Sequence, residues 1–150
     1  MFDLTIAKEL CKEFEGFRSA PYLCPAGVPT IGYGATYYTG GRKVALADPP
    51  ISEREAEALL EEELNKTYLP GVLRCCPIVL CFPEVLNALV DFSFNLGVGR
   101  LQSSTLRRKV NEEKWPEAIH QIKRWVRGGG RVLPGLVRRR EAEAALFPLI

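Results

Sequence analysis

The chain has 150 residues, of which 47% are apolar and 25% are charged, a composition typical of a globular protein with a buried core. Its net charge of +2 is unevenly spread: residues 1–96 have 8 basic and 13 acidic side chains, and residues 97–150 have 12 and 5. Five cysteines are too few for a disulfide-rich scaffold, and their odd number leaves at least one unpaired in a monomer.

The N-terminal segment carries charges from its third residue onward. Asp3, Lys8 and Glu9 interrupt its apolar residues, so it fits neither a secretory signal peptide nor a membrane-spanning helix. We therefore expect the protein to be made in the cytoplasm and not to insert stably into a membrane.

The first predicted element is a helix over residues 3–15. Ala7, Leu10, Cys11 and Phe14 recur at helical spacing and form an apolar stripe, and a glycine follows the helix. Since Cys11 lies on this stripe, we expect it to be a small core residue.

A small antiparallel sheet is predicted between Ser19 and Val44. Helical periodicity is lost there, prolines and glycines are frequent, and the run from Val28 to Tyr38 favours a strand. Binding and catalytic residues tend to lie on loops of this kind.

The next helix has a clear start. Ser52 and Glu55 have the spacing of a capping box, and Ile51 can pack on Ala56 as a hydrophobic staple. The helical pattern continues to the Pro-Gly pair at residues 70–71. Its acidic outer face is consistent with a helix that connects two lobes.

Helices dominate the rest of the chain, although the segment LRCCPIVLCF at residues 73–82 has no assignable pattern. We predict a buried helix from Pro83 to Leu96, a short helix to about Asn111 capped by Ser103 or Ser104, a helix from Trp115 through Val126, a break at Gly128 to Gly130, and a last helix over about 134–147.

Together these elements predict an α+β fold, mostly α-helical, in a single domain over residues 1–150. We expect a β-containing lobe over about 16–50, a connecting helix over about 52–69, and a helical lobe over about 82–150 that includes helix 3–15.

Three residues in the first third of the chain have a distinctive spacing. Eight residues separate Glu15 from Cys24, five separate Cys24 from Thr30, and the threonine begins the sequence TIGYG. This pattern resembles that of the phage-type lysozymes, the endolysins of glycoside hydrolase family 24, which have Glu, eight residues, Asp or Cys, five residues, and Thr. Other landmarks of the family match in order: ALVDFSFNLG at 88–97, SSTLRRKVN at 103–111, WVRGGG at 125–130 and GLVRRREAEAALF at 135–147.

The resemblance implies a lysozyme-like fold in which a small sheet lobe and a helical lobe flank a cleft. It implies a muramidase that needs no cofactor and hydrolyses the β-1,4 bond between N-acetylmuramic acid and N-acetylglucosamine in peptidoglycan. Glu15, Cys24 and Thr30 would be its catalytic residues.

The chemistry of these residue types agrees with that role. Cleavage of a glycosidic bond needs a proton for the leaving oxygen and a group that stabilises or attacks the sugar carbon. Glu15 follows Phe14 at a helix end, where an apolar surface would keep a carboxyl protonated as a general acid. The Thr30 hydroxyl can donate and accept hydrogen bonds, which suits it to holding a water molecule.

Cys24 stands where many family members have aspartate, so the usual pair of carboxylates is absent. A thiolate could act as a base toward water or as a nucleophile, and the alternative is an inert buried thiol. Whether the reaction inverts or retains the anomeric centre depends on the distance between the groups, which the spacing does not fix.

Four further residues are candidates for substrate binding: Gly32, Asn95, Trp125 and Arg139. For Asn95 the alternative is a role at the helix end, and for Trp125 it is core packing. The arginines at 138–140 could pair with Glu15 or bind substrate.

No metal site is expected. The only histidine, His120, is far along the chain from Cys75, Cys76 and Cys81, so the ligand spacing of a zinc site is absent.

Two other functions remain open at this stage. Without an aspartate at position 24, the protein could be a catalytically inactive peptidoglycan-binding protein of the same fold. The basic C-terminal third could bind nucleic acid, although no nucleic-acid motif is present.

The family resemblance implies a particular cellular setting. We expect a monomer that acts on peptidoglycan glycan strands and does not bind nucleic acid. It would stay in the host bacterial cytoplasm until a phage holin permeabilises the membrane.

Overall fold

The computed structural model describes residues 2–149, and its regular elements are mostly helices. The helices are α1 (Thr5–Glu15), α2 (Glu53–Glu63), α3 (Leu69–Cys75), α4 (Pro83–Leu96), α5 (Val98–Gln102), α6 (Thr105–Asn111), α7 (Trp115–Ile122) and α8 (Pro134–Ala144). A π-helical turn (Leu64–Tyr68) joins α2 to α3, and a 3₁₀ helix (Pro77–Cys81) precedes α4. The strands are β1 (Arg18–Leu23), β2 (Pro29–Gly32), β3 (Arg127–Gly128) and β4 (Arg131–Val132).

Helix α1 begins two residues later than predicted. Asp3 accepts a hydrogen bond from the Thr5 backbone N–H at 2.9 Å, which satisfies one free donor at the helix start. The helix ends at Gly16, whose φ of 74° is in the left-handed region that favours glycine. Cys11 is fully buried, so its predicted place in the core is confirmed.

The predicted antiparallel sheet is confirmed as a short hairpin. Strands β1 and β2 pair with Arg18 opposite Gly32 and Tyr22 opposite Thr30. The prediction of a strand from Val28 to Tyr38 is wrong beyond Gly32, where β2 ends. Positive φ angles at Gly32 and Gly34 turn the chain, and only isolated bridges follow.

The capping box at the start of α2 is confirmed. The Ser52 hydroxyl accepts from the Glu55 N–H, and the Glu55 carboxylate accepts from the Ser52 N–H, both at 3.1 Å. The predicted end at residues 70–71 is wrong, because the chain stays helical to Cys75. Leu69 N donates to Leu64 O, five residues back, and this wider turn accommodates Pro70, which has no N–H.

The buried helix α4 and the capping of α6 by Ser104 are as predicted. Helix α7 ends at Ile122 and does not continue through Val126. Beyond the end of the helix, the Trp125 ring packs edge-on against Phe92, with centroids 5.6 Å apart.

Three features of the C-terminal third differ from the prediction. The short helix α5 was not predicted, and α8 ends at Ala144 and does not reach residue 147. Where a break was expected, β3 and β4 form a hairpin, with φ of 59° at Gly129 and 83° at Gly130.

Helix α2 lies between two hydrophobic clusters. Leu60 belongs to the large cluster built mainly from the helices, whereas Leu59 packs with Ile31, Ala35 and Val44 in a small cluster beside the sheet. The predicted α+β, mostly helical fold class is therefore confirmed, with α2 shared by the two clusters. None of the helices in the described part of the chain has the length and hydropathy needed to cross a membrane.

Candidate active site

Glu15 is the last residue of α1, and its carboxylate is contacted from two sides. Arg139 Nη1 donates to Glu15 Oε2 at 3.0 Å, and 28% of the glutamate side chain remains exposed. On the other side, a Cβ placed on Gly34 would lie 3.2 Å from Glu15 Oε1. The expected apolar wall is therefore incomplete: a guanidinium faces the carboxylate, with its Cζ 5.4 Å from the centre of the Phe14 ring.

Arg139 is buried, and Asp91 fixes the orientation of its guanidinium. Arg139 Nε and Nη2 donate to the two Asp91 oxygens at 3.0 and 2.7 Å, and Nη1 is left to bind Glu15. Two-point pairing of this kind restricts both distance and angle. Of the two roles considered for the arginines at 138–140, the structure shows Arg139 paired with Glu15, and substrate binding by Arg139 stays a prediction.

Asp91 is a fully buried acidic residue in the apolar helix α4. Although burial acts to raise its pKa, hydrogen bonds from Glu143 and Arg139 hold the pKa of Asp91 below its usual value. Burial raises the pKa of Glu143 well above its usual value, and the neighbouring Asp91 raises it further, although Arg140 pairs with Glu143 and acts in the opposite direction. Cys11 Sγ also donates to Asp91, at 3.3 Å.

Asp91 was not predicted from the sequence, although a signal was present. An acidic residue in the middle of a buried apolar helix needs a charged or hydrogen-bonding partner, because an isolated buried charge is strongly disfavoured.

Cys24 begins the tight turn between β1 and β2. Its N–H donates to Val28 O at 3.1 Å, and Gly27 N–H donates to the Cys24 carbonyl at 2.8 Å. The backbone N–H groups of Val28 and then Ala26, with a smaller contribution from the Thr30 hydroxyl, lower the pKa of the Cys24 thiol. The turn therefore favours the thiolate, which is the reactive form.

Thr30 lies opposite Tyr22 in the hairpin and is buried. Its hydroxyl donates to Val28 O at 2.8 Å and lies within reach of the Cys24 sulfur. The hydroxyl therefore belongs to the same hydrogen-bonded group as the thiol.

Tyr22 links this group to Glu15. Burial raises the pKa of Tyr22, and the charges of Glu15 and Cys24 raise it further. Glu15 and Cys24 are thus both within electrostatic range of the Tyr22 phenol, and a shared catalytic role for Glu15, Cys24 and Thr30 stays a prediction.

Asn95 and Trp125 contact the second buried arginine. Asn95 Oδ1 accepts from Arg140 Nη2 at 2.8 Å, and the Trp125 carbonyl accepts from Arg140 Nη1 at 3.3 Å. These contacts stabilise the packing of α8, and substrate binding by either residue stays a prediction.

Gly32 is buried against α2. A Cβ at this position would lie 3.0 Å from the Ala56 Cβ, so the glycine permits the hairpin to approach the helix. Substrate binding by Gly32 also stays a prediction.

The cysteines do not form a metal cluster in the structure. Cys75 and Cys76 are buried, Cys81 is exposed, and all three are free thiols. Between residues 2 and 149, no three His, Cys, Asp or Glu side chains lie together as a metal site.

Two clefts lie near the candidate site residues. The first, of about 330 Å³, separates the segment after β2 from the connecting helix, and it is lined by Thr36, Tyr37, Tyr38, Leu59, Glu62, Glu63, Lys66, Thr67 and Tyr68. Glu15 is not one of the lining residues, but its charge acts on Glu63 and Tyr68, so the cleft lies within electrostatic range of Glu15. The second cleft, of about 710 Å³, borders Trp125 and Arg124.

The comparisons with known proteins agree with this geometry. Residues 12–143 match the family model named Phage lysozyme. The chain belongs to the phage lysozyme family, and its predicted assignment to the glycoside hydrolases is confirmed at the level of the family.

Individual relatives show how far the similarity extends. The chain is 36% identical over 138 residues to the endolysin of Bacillus phage B103, a match that covers 92% of this chain and 51% of that protein. The chain thus spans about half the length of that relative. An endolysin of Acyrthosiphon pisum secondary endosymbiont phage 1 is 33% identical over 142 residues, with 92% of both proteins covered.

A solved structure confirms the lysozyme fold. A crystal structure of a P22 lysozyme mutant has a TM-score of 0.84 with this chain at 27% identity, and the match covers 98% of each chain.

Proposed function

We propose that this protein is a muramidase that hydrolyses the β-1,4 bond between N-acetylmuramic acid and N-acetylglucosamine in bacterial peptidoglycan. The observation that carries the proposal is the placement of Glu15, which Arg139 holds beside a cleft and near a cysteine turn that favours the thiolate. Membership of the phage lysozyme family supports the same substrate class.

Glu15 acts as the general acid. It gives its proton to the glycosidic oxygen as the bond to the anomeric carbon breaks, and positive charge develops on the sugar ring. The Cys24 thiolate then either removes a proton from the water that attacks the anomeric carbon, or bonds to the anomeric carbon itself. In the second case Glu15, now a carboxylate, removes a proton from a water molecule that displaces the thiolate from the anomeric carbon. The Thr30 hydroxyl orients the attacking group through its position beside the sulfur.

Arg139 is a positioning residue in this mechanism. Asp91 holds its guanidinium at two points, and the third nitrogen fixes the Glu15 carboxyl relative to the cleft. A displacement of about 1 Å in such an arrangement costs roughly a hundredfold in rate.

The cellular setting is part of the proposal. The protein acts as a monomer on glycan strands, without nucleic acid and without stable membrane insertion, and it stays in the host cytoplasm until the membrane is permeabilised. The excess of basic residues over 97–150 attracts it to anionic cell envelopes. High salt should therefore slow lysis of intact walls more than cleavage of short neutral fragments.

A second candidate is a catalytically inactive protein that only binds peptidoglycan. The cysteine at position 24, where many family members have aspartate, is the observation that favours it.

Product analysis separates these candidates. Purified peptidoglycan is incubated with the protein, and the released fragments are identified by mass spectrometry. Muropeptides with a reducing N-acetylmuramic acid end support hydrolysis. Anhydro products would indicate transglycosylation, and co-sedimentation with the wall without fragments would indicate binding alone.

A further inference from the structure

Glu63 is an acidic side chain in the cleft that the proposed mechanism does not use. It is the last residue of α2, it is half-buried, and it lines the cleft beside Glu15. The π-helical turn begins at the next residue. Such turns often mark functional sites, because they change the direction of the side chains around them.

Its neighbour on the helix has a different environment. Glu62 accepts from Lys66 Nζ at 3.0 Å and from the Thr39 hydroxyl at 2.9 Å. Glu63 has no such hydrogen-bonded partner in the described part of the chain. Burial and the charges of Glu15 and Glu62 all raise its pKa, and no neighbouring group lowers it. Its hydrogen-bonding capacity is therefore unused within the protein.

The groups that face Glu63 offer it no free cation. Lys66 is the basic residue among the described residues that line the cleft, and it is paired with Glu62. The remaining ionisable groups of the cleft are Tyr37, Tyr38, whose hydroxyl donates to Asp48 at 2.8 Å, and Tyr68.

The protonation state of Glu63 follows from this environment. Burial, then the charge of Glu15 and then that of Glu62, raise the pKa of Glu63 to about 7. Below that pH its carboxyl is neutral and can both donate and accept a hydrogen bond.

The rest of the cleft matches an amino sugar. The Tyr37 side chain is 50% exposed and offers an aromatic face, and Thr36 and Thr67 add hydroxyl groups. Ligand sites commonly combine apolar and aromatic surface with a few converging polar groups.

We propose that the Glu63 carboxyl is a substrate-binding residue that donates a hydrogen bond to the acetamido oxygen of an N-acetylhexosamine unit in this cleft. The inference rests on the proposed function and assigns to this cleft one sugar unit of the glycan strand. Above neutral pH the carboxyl loses its donor hydrogen, so binding of a neutral sugar weakens.

The test measures binding and does not depend on catalysis. The probe is a thio-linked trimer of N-acetylglucosamine, which is neutral and resists hydrolysis, titrated by calorimetry into the wild-type protein and two variants. Glu63→Gln keeps the size of the side chain and retains a donor at every pH. Glu61→Gln is the matched control, because Glu61 is exposed on the same helix, is paired with Lys8 and does not line this cleft.

We expect the wild-type affinity to fall about tenfold between roughly pH 5.5 and roughly pH 8.5, because little of a group with a pKa near 7 is protonated at the higher pH. The Glu63→Gln affinity should stay constant over this range, and Glu61→Gln should behave like wild type. Thermal unfolding of all three proteins checks that they are folded.

Several outcomes would overturn the inference: no binding, a wild-type affinity that does not change with pH, or the same fall in Glu63→Gln. Release of reducing muropeptides by the wild-type protein would leave the proposed function standing in each of those cases. Conversely, trimer binding whose pH dependence disappears in Glu63→Gln, without any muropeptide release, supports the binding role and contradicts the hydrolase.

Discussion

Arg139 and Glu15 are 124 residues apart in the sequence, yet Arg139 Nη1 lies 3.0 Å from Glu15 Oε2. Asp91 holds the other two guanidinium nitrogens, so one buried arginine joins α1, α4 and α8 at the site. The position of the Glu15 carboxyl is thus determined by three helices.

Replacement of Arg139 by lysine should lower the rate of wall cleavage about a hundredfold, because an ammonium cannot bind Asp91 at two points and also reach Glu15. The loss should appear in kcat more than in KM, since Arg139 does not face the cleft. Arg138→Lys is the matched control, because Arg138 is exposed on the same helix. Equal activity of the two variants would contradict the positioning role.

Gly34→Ala should reduce activity more than its effect on stability explains. At φ of +84°, a Cβ costs about 1 kcal/mol and would also lie 3.2 Å from Glu15 Oε1. Gly40→Ala is a suitable control, because Gly40 has φ of +94° and open space around it. Urea unfolding should show similar losses for the two variants, while turbidity assays should show a loss of lysis for Gly34→Ala alone. Parallel losses of activity would refute the contact with Glu15.

Alkylation of Cys24 should inactivate the protein. Because the pKa of this thiol is lowered, its reaction with iodoacetamide should continue to lower pH than that of a model thiol. The measurement uses a Cys81→Ser background, which removes the exposed competing cysteine. Mass spectrometry locates the modification, and Cys24→Asp should remain active after the same treatment. Full activity of protein modified at Cys24 would exclude an essential thiol.

Asp91→Asn should lower the free energy of unfolding by about 3–5 kcal/mol at neutral pH, because it removes the fully buried carboxylate that binds Arg139 at two points and leaves only the partly exposed Glu15 as a charged partner. The folded-state pKa of Asp91 lies below its ordinary value of 3.8, so its contribution is fully present above that pH and is lost as pH falls through the folded-state pKa. The difference between variant and wild type in urea unfolding should therefore shrink under acidic conditions. A difference that grows toward low pH would contradict this account.

The sequence was sufficient to predict those elements whose signals are local. The apolar stripe of α1, the capping box of Ser52 and Glu55 and the hairpin around Cys24 depend on neighbouring residues, and each was found. The spacing of Glu15, Cys24 and Thr30 is also local, so these three candidate catalytic residues could be predicted from a single short segment of the sequence.

The features that were missed depend on contacts distant in sequence. The chain stays helical past Pro70 because a π-helical turn accommodates the proline, which has no N–H. Gly71 packs closely on Val98, and a Cβ on this glycine would lie 2.6 Å from Val98 Cγ2. The two residues of β3 and the five of α5 are too few to show a period.

The site shows the same limitation. The roles of Asp91 and Gly34 follow from where α4 and the turn after β2 meet α1, and no spacing rule connects them. The sequence indicated that one of the three adjacent arginines at 138–140 could pair with Glu15. The packing of α8 in the structure shows that this arginine is Arg139.

The central claim is that Glu15 is the proton donor in a hydrolytic reaction, and the most direct test is digestion of peptidoglycan in water labelled with heavy oxygen. The account predicts that the wild-type protein and Glu13→Gln, a control at an exposed position of the same helix, release muropeptides with one labelled oxygen at the reducing end. Glu15→Gln, folded to the same extent, should release none. Labelled products from Glu15→Gln at the wild-type rate would contradict it.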